Sequence, residues 1–528
     1  MPTCFYNTLA HDLQEFTPLE PGADPADPLK GATVRMYTCG PTVYDYAHIG
    51  NFRAFLFADV LRRYLEFRGA TVHQVMNMTD VGHMVDDSHA DAQGEDKMQK
   101  AQDRLKEAKK QGKALVENPD DPNQVAEFFV EAFLDDARAL QVEVVLERDA
   151  AAGDQKDRIM PRPTRFIEPF IKMIETLIEN GHAYVGTDGV VYYSVASFPE
   201  YGKLSGNSID KLSHGAGGRT AAQAAKKHPA DFFLWKPDPR HLMRWPSPWG
   251  EGYPGWHIEC SAMATTLLGP SIDIHTGGED NIFPHHECEI AQSEAATGKP
   301  FARFWLHTRH LMVNGEKMSK SKGNFYTIRD LVKKGFDPLA IRYALISTRY
   351  RESMNFSMKG LHEAAAAVGS LRDLADKLQT AVAAIDEAAG EATRESDLLP
   401  QDAKLLAEIA AAMDDDLNIA GALGALFTWA TPLNKQKKVA FPEARSALLA
   451  LKKIDHVLEV IFPPLHPLSV ETAGKVEALM IQRQQARAGK DFARSDALRN
   501  ELHALGVEIK DTPTGTTWRP RLAPVLGA

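Results

Sequence analysis

Cysteine is scarce. Four in 528 residues cannot staple a fold of this length, so a disulfide scaffold is excluded. In such a chain cysteines read instead as ligands, nucleophiles or core filling in a reducing cytosol. Long apolar runs are missing as well: no stretch approaches the roughly 18 consecutive apolar residues needed to cross a bilayer. The N-terminal MPTCFYNTLAHDLQEF has neither the basic start nor the apolar stretch of a signal peptide. A cytoplasmic protein with no membrane partner is expected. Net positive charge is also lacking. At a formal charge of -11 there is no global basic field for indiscriminate nucleic-acid binding, although local basic patches can still grip a folded RNA. No internal repeat is evident. The chain is too long for one hydrophobic core, so several domains are expected, in a monomer.

What is present is an alternation of strands and helices. Residues 33–40, TVRMYTCG, read as a strand that ends in a turn at Gly40-Pro41. In the next segment Phe52, Leu56, Leu61 and Tyr64 recur at roughly helical spacing, and Gly69 suits a C-terminal cap. TVHQVMNMT, 71–79, reads as the following strand, which completes one βαβ unit of a doubly wound parallel sheet. Residues 87–125 are highly charged and read as a solvated helical insertion. The Gly/Ala/Lys stretch 213–228 reads as a mobile loop. SIDIHTGG, 271–278, reads as a strand, a helix is expected from Pro284, and Asn314-Gly315 marks a hairpin.

Two short motifs bear on phosphate chemistry. His48-Ile49-Gly50-Asn51 falls where a helix begins after the first strand, a place where backbone N–H groups and the helix dipole favour an anion. Lys317-Met318-Ser319-Lys320-Ser321 follows the hairpin as a cationic loop able to hold a polyphosphate. Each alone is weak. Together, in this order and with two half-sheets between them, they resemble the class I aminoacyl-tRNA synthetases. That resemblance implies ATP, with Mg2+, bound along Gly40, His48, Gly50 and Asn51, and Lys317 and Lys320 on the triphosphate. It implies His48, Asn51, Lys317 and Lys320 as the catalytic set. The reaction implied is in-line attack of a carboxylate on the α-phosphate, driven by positioning and charge neutralisation rather than by a side-chain nucleophile.

A third set of residues has metal-ligand chemistry. Cys39 ends the first strand, Cys260 lies in GWHIECSAM, and His285 and Glu289 lie four apart in PHHECE, on one helix face. Spread from position 39 to 289, they match no finger or ribbon spacing. The surrounding segments decide: YTCGPTVYDYAHIGN, PGWHIECSAM, DIHTGGEDNIFPHHE, DDLNIAGALGALF and the C-terminal KDFARSDALRNELHALGVEIKDTPTGTTWR are similar to the cysteinyl-tRNA synthetase family over nearly the whole chain. The resemblance implies one Zn2+ per chain held by Cys39, Cys260, His285 and Glu289, with the sulfur of L-cysteine on the same ion. It implies Thr79, Trp256 and His275, beside Cys39, around the amino acid. Cys288, at i+3 from His285, stays a competing ligand, and His257 and His286 read as supporting residues outside the ligand set. Four protein ligands plus substrate make five, against the usual three plus an open position.

The expected organisation is an α/β Rossmann-type doubly wound parallel sheet split by an insertion, followed by an α-helical bundle domain and a small C-terminal α+β domain. The boundaries are 1–145 for the first half of the catalytic domain, 146–230 for the connective insertion and 231–310 for the second half. Then come 311–360 for the linker with the lysine-rich motif, 361–468 for a helical tRNA-binding domain and 469–528 for an anticodon-binding domain. In the last, Arg483, Arg487, Lys490, Arg494, Arg499 and Trp518 are expected to meet RNA. The function implied is ATP-dependent activation of cysteine and its transfer to tRNA(Cys). A ligase joining activated cysteine to a small amine would keep the same motifs but needs no anticodon module. A non-catalytic tRNA-binding relative would be expected to have lost them.

Overall fold

The computed structural model describes residues 2–82, 84–86, 93–207, 225–319, 322–386, 398–512 and 515–524. At its centre is a four-stranded parallel sheet in the order Ala302–Thr308, Ile272–Gly278, Thr33–Thr38, Thr71–Met76. The first strand therefore lies beside the third, and the chain builds outward from that pair in both directions. This is the doubly wound arrangement. It opens a crevice beyond the carboxyl ends of the two central strands, where ligands of open α/β sheets bind.

The helix Ile49–Phe67 crosses one face of the sheet. Phe52, Leu56, Leu61 and Tyr64, the periodic residues, are all fully buried. Gly69 follows the helix at a φ of 92°, a left-handed turn that glycine adopts without strain. The helices Trp256–Leu268 and Glu287–Thr297 pack on each other. The helix expected from Pro284 does not begin regularly. Phe283 is extended, with φ -139° and ψ 134°, a π turn spans Ile282–His286, and regular α-helix starts at Glu287.

Between the half-sheets lies a four-stranded antiparallel sheet, Gly252–Pro254, Phe232–Pro237, Val191–Tyr193 and Ala183–Val185 in order, backed by the helix Ile167–Glu179. Two of these strands lie beyond position 230, so the α/β layering resumes at Trp256 rather than at 231. Alternating apolar residues announce a strand without saying which sheet it joins. Of the charged segment 87–125, residues 87–92 lie outside the described residues. The rest includes a helix, Lys97–Lys110, whose Met98, Ala101 and Leu105 are buried. That face packs on the helix Pro122–Ala139, so the segment is docked rather than wholly solvated. The stretch 213–228, read as a mobile loop, lies outside the described residues up to 224.

Asn314 and Gly315, with φ of 51° and 81°, make the expected hairpin turn between Leu311–Val313 and Glu316–Lys317. Four helices, Met358–Asp386, Pro400–Asp414, Ile419–Lys435 and Phe441–Leu458, form the bundle. A charged network ties it to the helix Ile49–Phe67 that covers the sheet. Asp59 accepts from Arg63 at 3.1 Å and from the fully buried Arg342 at 2.5 Å. Arg342 also donates to the carbonyls of Leu458 and Leu140. The chain ends in the helices Val470–Ala488 and Phe492–Ala504 and the hairpin Val507–Thr512/Gly515–Pro520, around a small core of Val476, Leu502 and Val507.

Candidate active site and metal centre

Strand pairing brings the distant cysteines and acids together. Cys39 follows the last residue of its strand, and its N–H donates to the carbonyl of Thr276 on the neighbouring strand at 3.1 Å. Its thiol thus stands at the crevice. The helices Trp256–Leu268 and Glu287–Thr297 supply the other wall. Donor atoms of Cys39, Cys260, His285 and Glu289 all lie within 4.8 Å of one another, every residue buried. His285 Nε2 is 3.0 Å from Glu289 Oε1, the contact that i, i+4 spacing allows. Cys39 Sγ is 3.6 Å from the same oxygen. Cys288 is turned elsewhere: its sulfur is 3.3 Å from the hydroxyl of Tyr201, among apolar residues, and burial pushes its thiol up.

A second grouping of Cys39, His275, His286 and Glu289 overlaps the first. His275 Nε2 is 2.8 Å from Glu289 Oε2, and His286 Nε2 is 3.3 Å from Cys39 Sγ. His286 was expected outside the ligand set, yet it borders the same sulfur. The histidines are held in turn. His257 Nδ1 lies 2.8 Å from His285 Nδ1, and His286 Nδ1 lies 2.8 Å from His307 Nε2, whose Nδ1 is 2.8 Å from Thr8 Oγ1. His307 and Glu259 carried no sequence signal beyond their residue types.

The electrostatics favour a cation at the centre. Burial opposes charge on Glu289, but His275 and His285 bring its carboxyl down to about 2. Burial likewise opposes charge on His285, and Glu289 with Cys260 drives it up to about 10. Cys260, which burial would raise, is brought down to about 6 by its hydrogen bond with Cys39 and by His285. Two thiols, an imidazole and a carboxylate, buried and converging, are all ligand types that zinc accepts.

The residues expected around an amino acid line the same place. The Trp256 ring lies 4.2 Å from that of His285, between centroids. His275 stacks on Trp305 at 4.5 Å. Thr79 donates to Glu259 at 3.4 Å, and burial pushes that carboxyl well above its usual range. Gly40 donates to Asn77 Oδ1, and a Cβ at Gly40 would fall 1.7 Å from the Asn77 carbonyl. Only glycine fits there.

His48 and Asn51 cap the helix Ile49–Phe67 reciprocally. His48 Nδ1 accepts from Asn51 N–H, and Asn51 Oδ1 accepts from His48 N–H, each at 3.1 Å. The lysine-rich segment lies against this cap. Ile49 N–H donates to the Tyr326 carbonyl, and a Cβ at Gly50 would meet the Met318 methyl at 3.2 Å. The two motifs are thus neighbours in space. Lys317 is exposed at the end of its strand, and Lys320 lies outside the described residues.

The C-terminal basic residues divide. Arg483 is buried and paired with Asp511 at 2.9 Å, with Arg487 on the same carboxylate. Arg483 therefore braces the helix against the hairpin instead of facing RNA. Trp518 Nε1 donates to Glu477.

Family models match three segments of the chain. One described as the catalytic domain of class I (C) tRNA synthetases covers residues 25–366, a DALR domain covers 408–462, and an anticodon-binding domain of cysteinyl-tRNA ligase covers 470–519. The chain is 40% identical over 543 residues to a cysteine–tRNA ligase of Salinibacter ruber, covering 98% of each. It is 41% identical over 525 residues to one of Symbiobacterium thermophilum, covering 97% of this chain and 98% of that one. Among solved structures, Mycobacterium tuberculosis methionyl-tRNA synthetase in complex with methionyl-adenylate shares the fold. Its TM-score is 0.51 at 15% identity, over 94% of this chain and 99% of that one.

Proposed function

This chain belongs to the cysteine–tRNA ligase family, and from that premise we propose how its site performs the charging of tRNA with cysteine. The chain is an ATP-dependent ligase of class I. The observation that carries the reading is the convergence of Cys39, Cys260, His285 and Glu289 at the crevice beside the capped helix.

Cys39, Cys260, His285 and Glu289 would hold one zinc ion. A bound zinc favours a thiolate over a hydroxyl and lowers the pKa of a thiol it meets. His257 fixes the ring of His285 through their 2.8 Å contact, as residues behind metal ligands do. Trp256 and His275 shape the wall beside the thiol, with Thr79 near the main-chain end of the amino acid. The carboxylate of cysteine attacks the α-phosphate in line, and pyrophosphate leaves. His48 serves this step from its cap. Because Nδ1 accepts from Asn51 N–H, the proton of the neutral ring sits on Nε2, the donor that a phosphate oxygen needs. The N-terminus of the helix Ile49–Phe67 adds its dipole. Lys317 and Lys320 would meet the triphosphate, and a bound Mg2+ would add to the neutralisation of its charge. The adenylate then passes its acyl group to the terminal ribose of tRNA(Cys), a partner held by the bundle and by the C-terminal module in the cytoplasm.

The module at 470–519 also weighs against a ligase that couples cysteine to a small amine, which has no anticodon to read. ATP–pyrophosphate exchange is the test. Cysteine should support it at least about 10⁴-fold better than serine, as when a site's polar partner goes unmet. Serine within about a hundredfold would overturn selection through the metal.

A further inference from the structure

The helix Lys97–Lys110 reaches the mouth of this site. Its Lys97 Nζ lies 5.2 Å from the ring centroid of Tyr44 and 5.9 Å from that of Trp256. Trp256 is the ring that stands against His285. The helix is fastened there. Arg104 pairs with Asp45 at 2.6 Å and donates to the Tyr44 carbonyl at 2.8 Å, just before the His48 cap, and the buried Met98 and Leu105 anchor the adjoining flank.

Lys97 opens its helix with its ammonium over two aromatic faces at the mouth of the pocket, and burial there lowers it to about 8. The pocket behind it carries the ionised Glu289, which repels a substrate carboxylate. Cysteine seated by its thiol among the ligands directs its carboxylate away from them, toward the mouth. We propose that Lys97 is a positioning residue for activation, whose ammonium, steered by the faces of Tyr44 and Trp256, binds the carboxylate of cysteine and holds it for attack on ATP. This rests on the reading of the pocket as the cysteine site.

Cysteamine, which is cysteine without its carboxylate, separates the possibilities. In the full-length zinc-loaded protein, cysteine-dependent pyrophosphate exchange is measured for the unsubstituted chain, Lys97→Met and Lys97→Arg, with cysteamine as competitor. In Lys97→Met the KM for cysteine should rise at least about tenfold, while the inhibition constant of cysteamine stays within about twofold. Lys97→Arg should recover most of the loss. An unchanged KM for cysteine, or an equal weakening of both ligands in both variants, overturns the assignment. Absence of cysteine-dependent exchange in the unsubstituted protein overturns the functional reading and this assignment with it.

Discussion

Each residue of the proposed metal set has a distinct task, which makes substitutions informative. Cys260 is the thiol that its neighbours hold nearest to ionised, so Cys260→Ser should cost the site its zinc. Elemental analysis of purified protein should fall from about one zinc per chain, the single-ion stoichiometry of a four-ligand site, to near none; full retention would refute the ligand set. Lys317→Ala should slow single-turnover adenylation by about 2–4 kcal/mol in barrier, the value of one donor to developing charge. An unchanged rate would reduce the lysine-rich segment to a surface loop. Much at this scale was legible in the sequence. Helical spacing puts His285 and Glu289 on one face, and a cysteine at a strand end points to the crevice. His286 was passed over, although positions three and four before Glu289 both face it on a helix, and both histidines border its Oε1, His285 at 3.0 Å and His286 at 4.0 Å.

Elements are joined by charge where apolar packing alone would let them slide. Asp59 sits on the first helix and receives Arg63 from the same helix and Arg342 from the helix Pro338–Ile346. Burial resists ionisation of Asp59, yet the two guanidinium groups hold its carboxyl below the usual range. The folded value is thus below the unfolded value of about 3.9, so the contribution is complete above about pH 4 and is lost as pH falls below it. Asp59→Asn should lower stability at pH 7 by about 3–5 kcal/mol, because the buried Arg342 loses its carboxylate while Arg63 keeps Glu143 and Glu459. Urea-unfolding midpoints between pH 7 and pH 3 should show it, with a shallower acid decline in the variant. The insertion helix shows why some elements were misjudged from sequence. Met98, Ala101 and Leu105 fall three and four apart, an apolar stripe that the abundance of Lys, Glu and Asp obscured. The strand Phe232–Pro237 was readable as a strand, but its sheet was decided by partners that no local pattern names.

At the scale of the whole molecule, the catalytic segment at 25–366 and the anticodon-binding match at 470–519 occupy different parts of the chain. The C-terminal module has its own small core and meets the remainder through contacts such as Arg519 with Asp373 and the Asp337 N–H to the Leu522 carbonyl. Removal of residues 470–528 should therefore leave cysteine-dependent pyrophosphate exchange within a few-fold, on the order of the 1 kcal/mol attributed to surface pairs, and cripple charging of tRNA at fixed salt. Equal charging by both proteins would remove the anticodon assignment. The parallel sheet has one more effect, on the order of events during synthesis. Cys39 and Glu289 stand 250 positions apart, on opposite sides of the connective insertion. A growing chain therefore carries its first thiol long before the carboxylate that completes the set exists. Loading of a metal by the proposed set would therefore belong to the end of folding, when the two half-sheets have met. A bound ion would act as a pin between them and couple occupancy to the folded state.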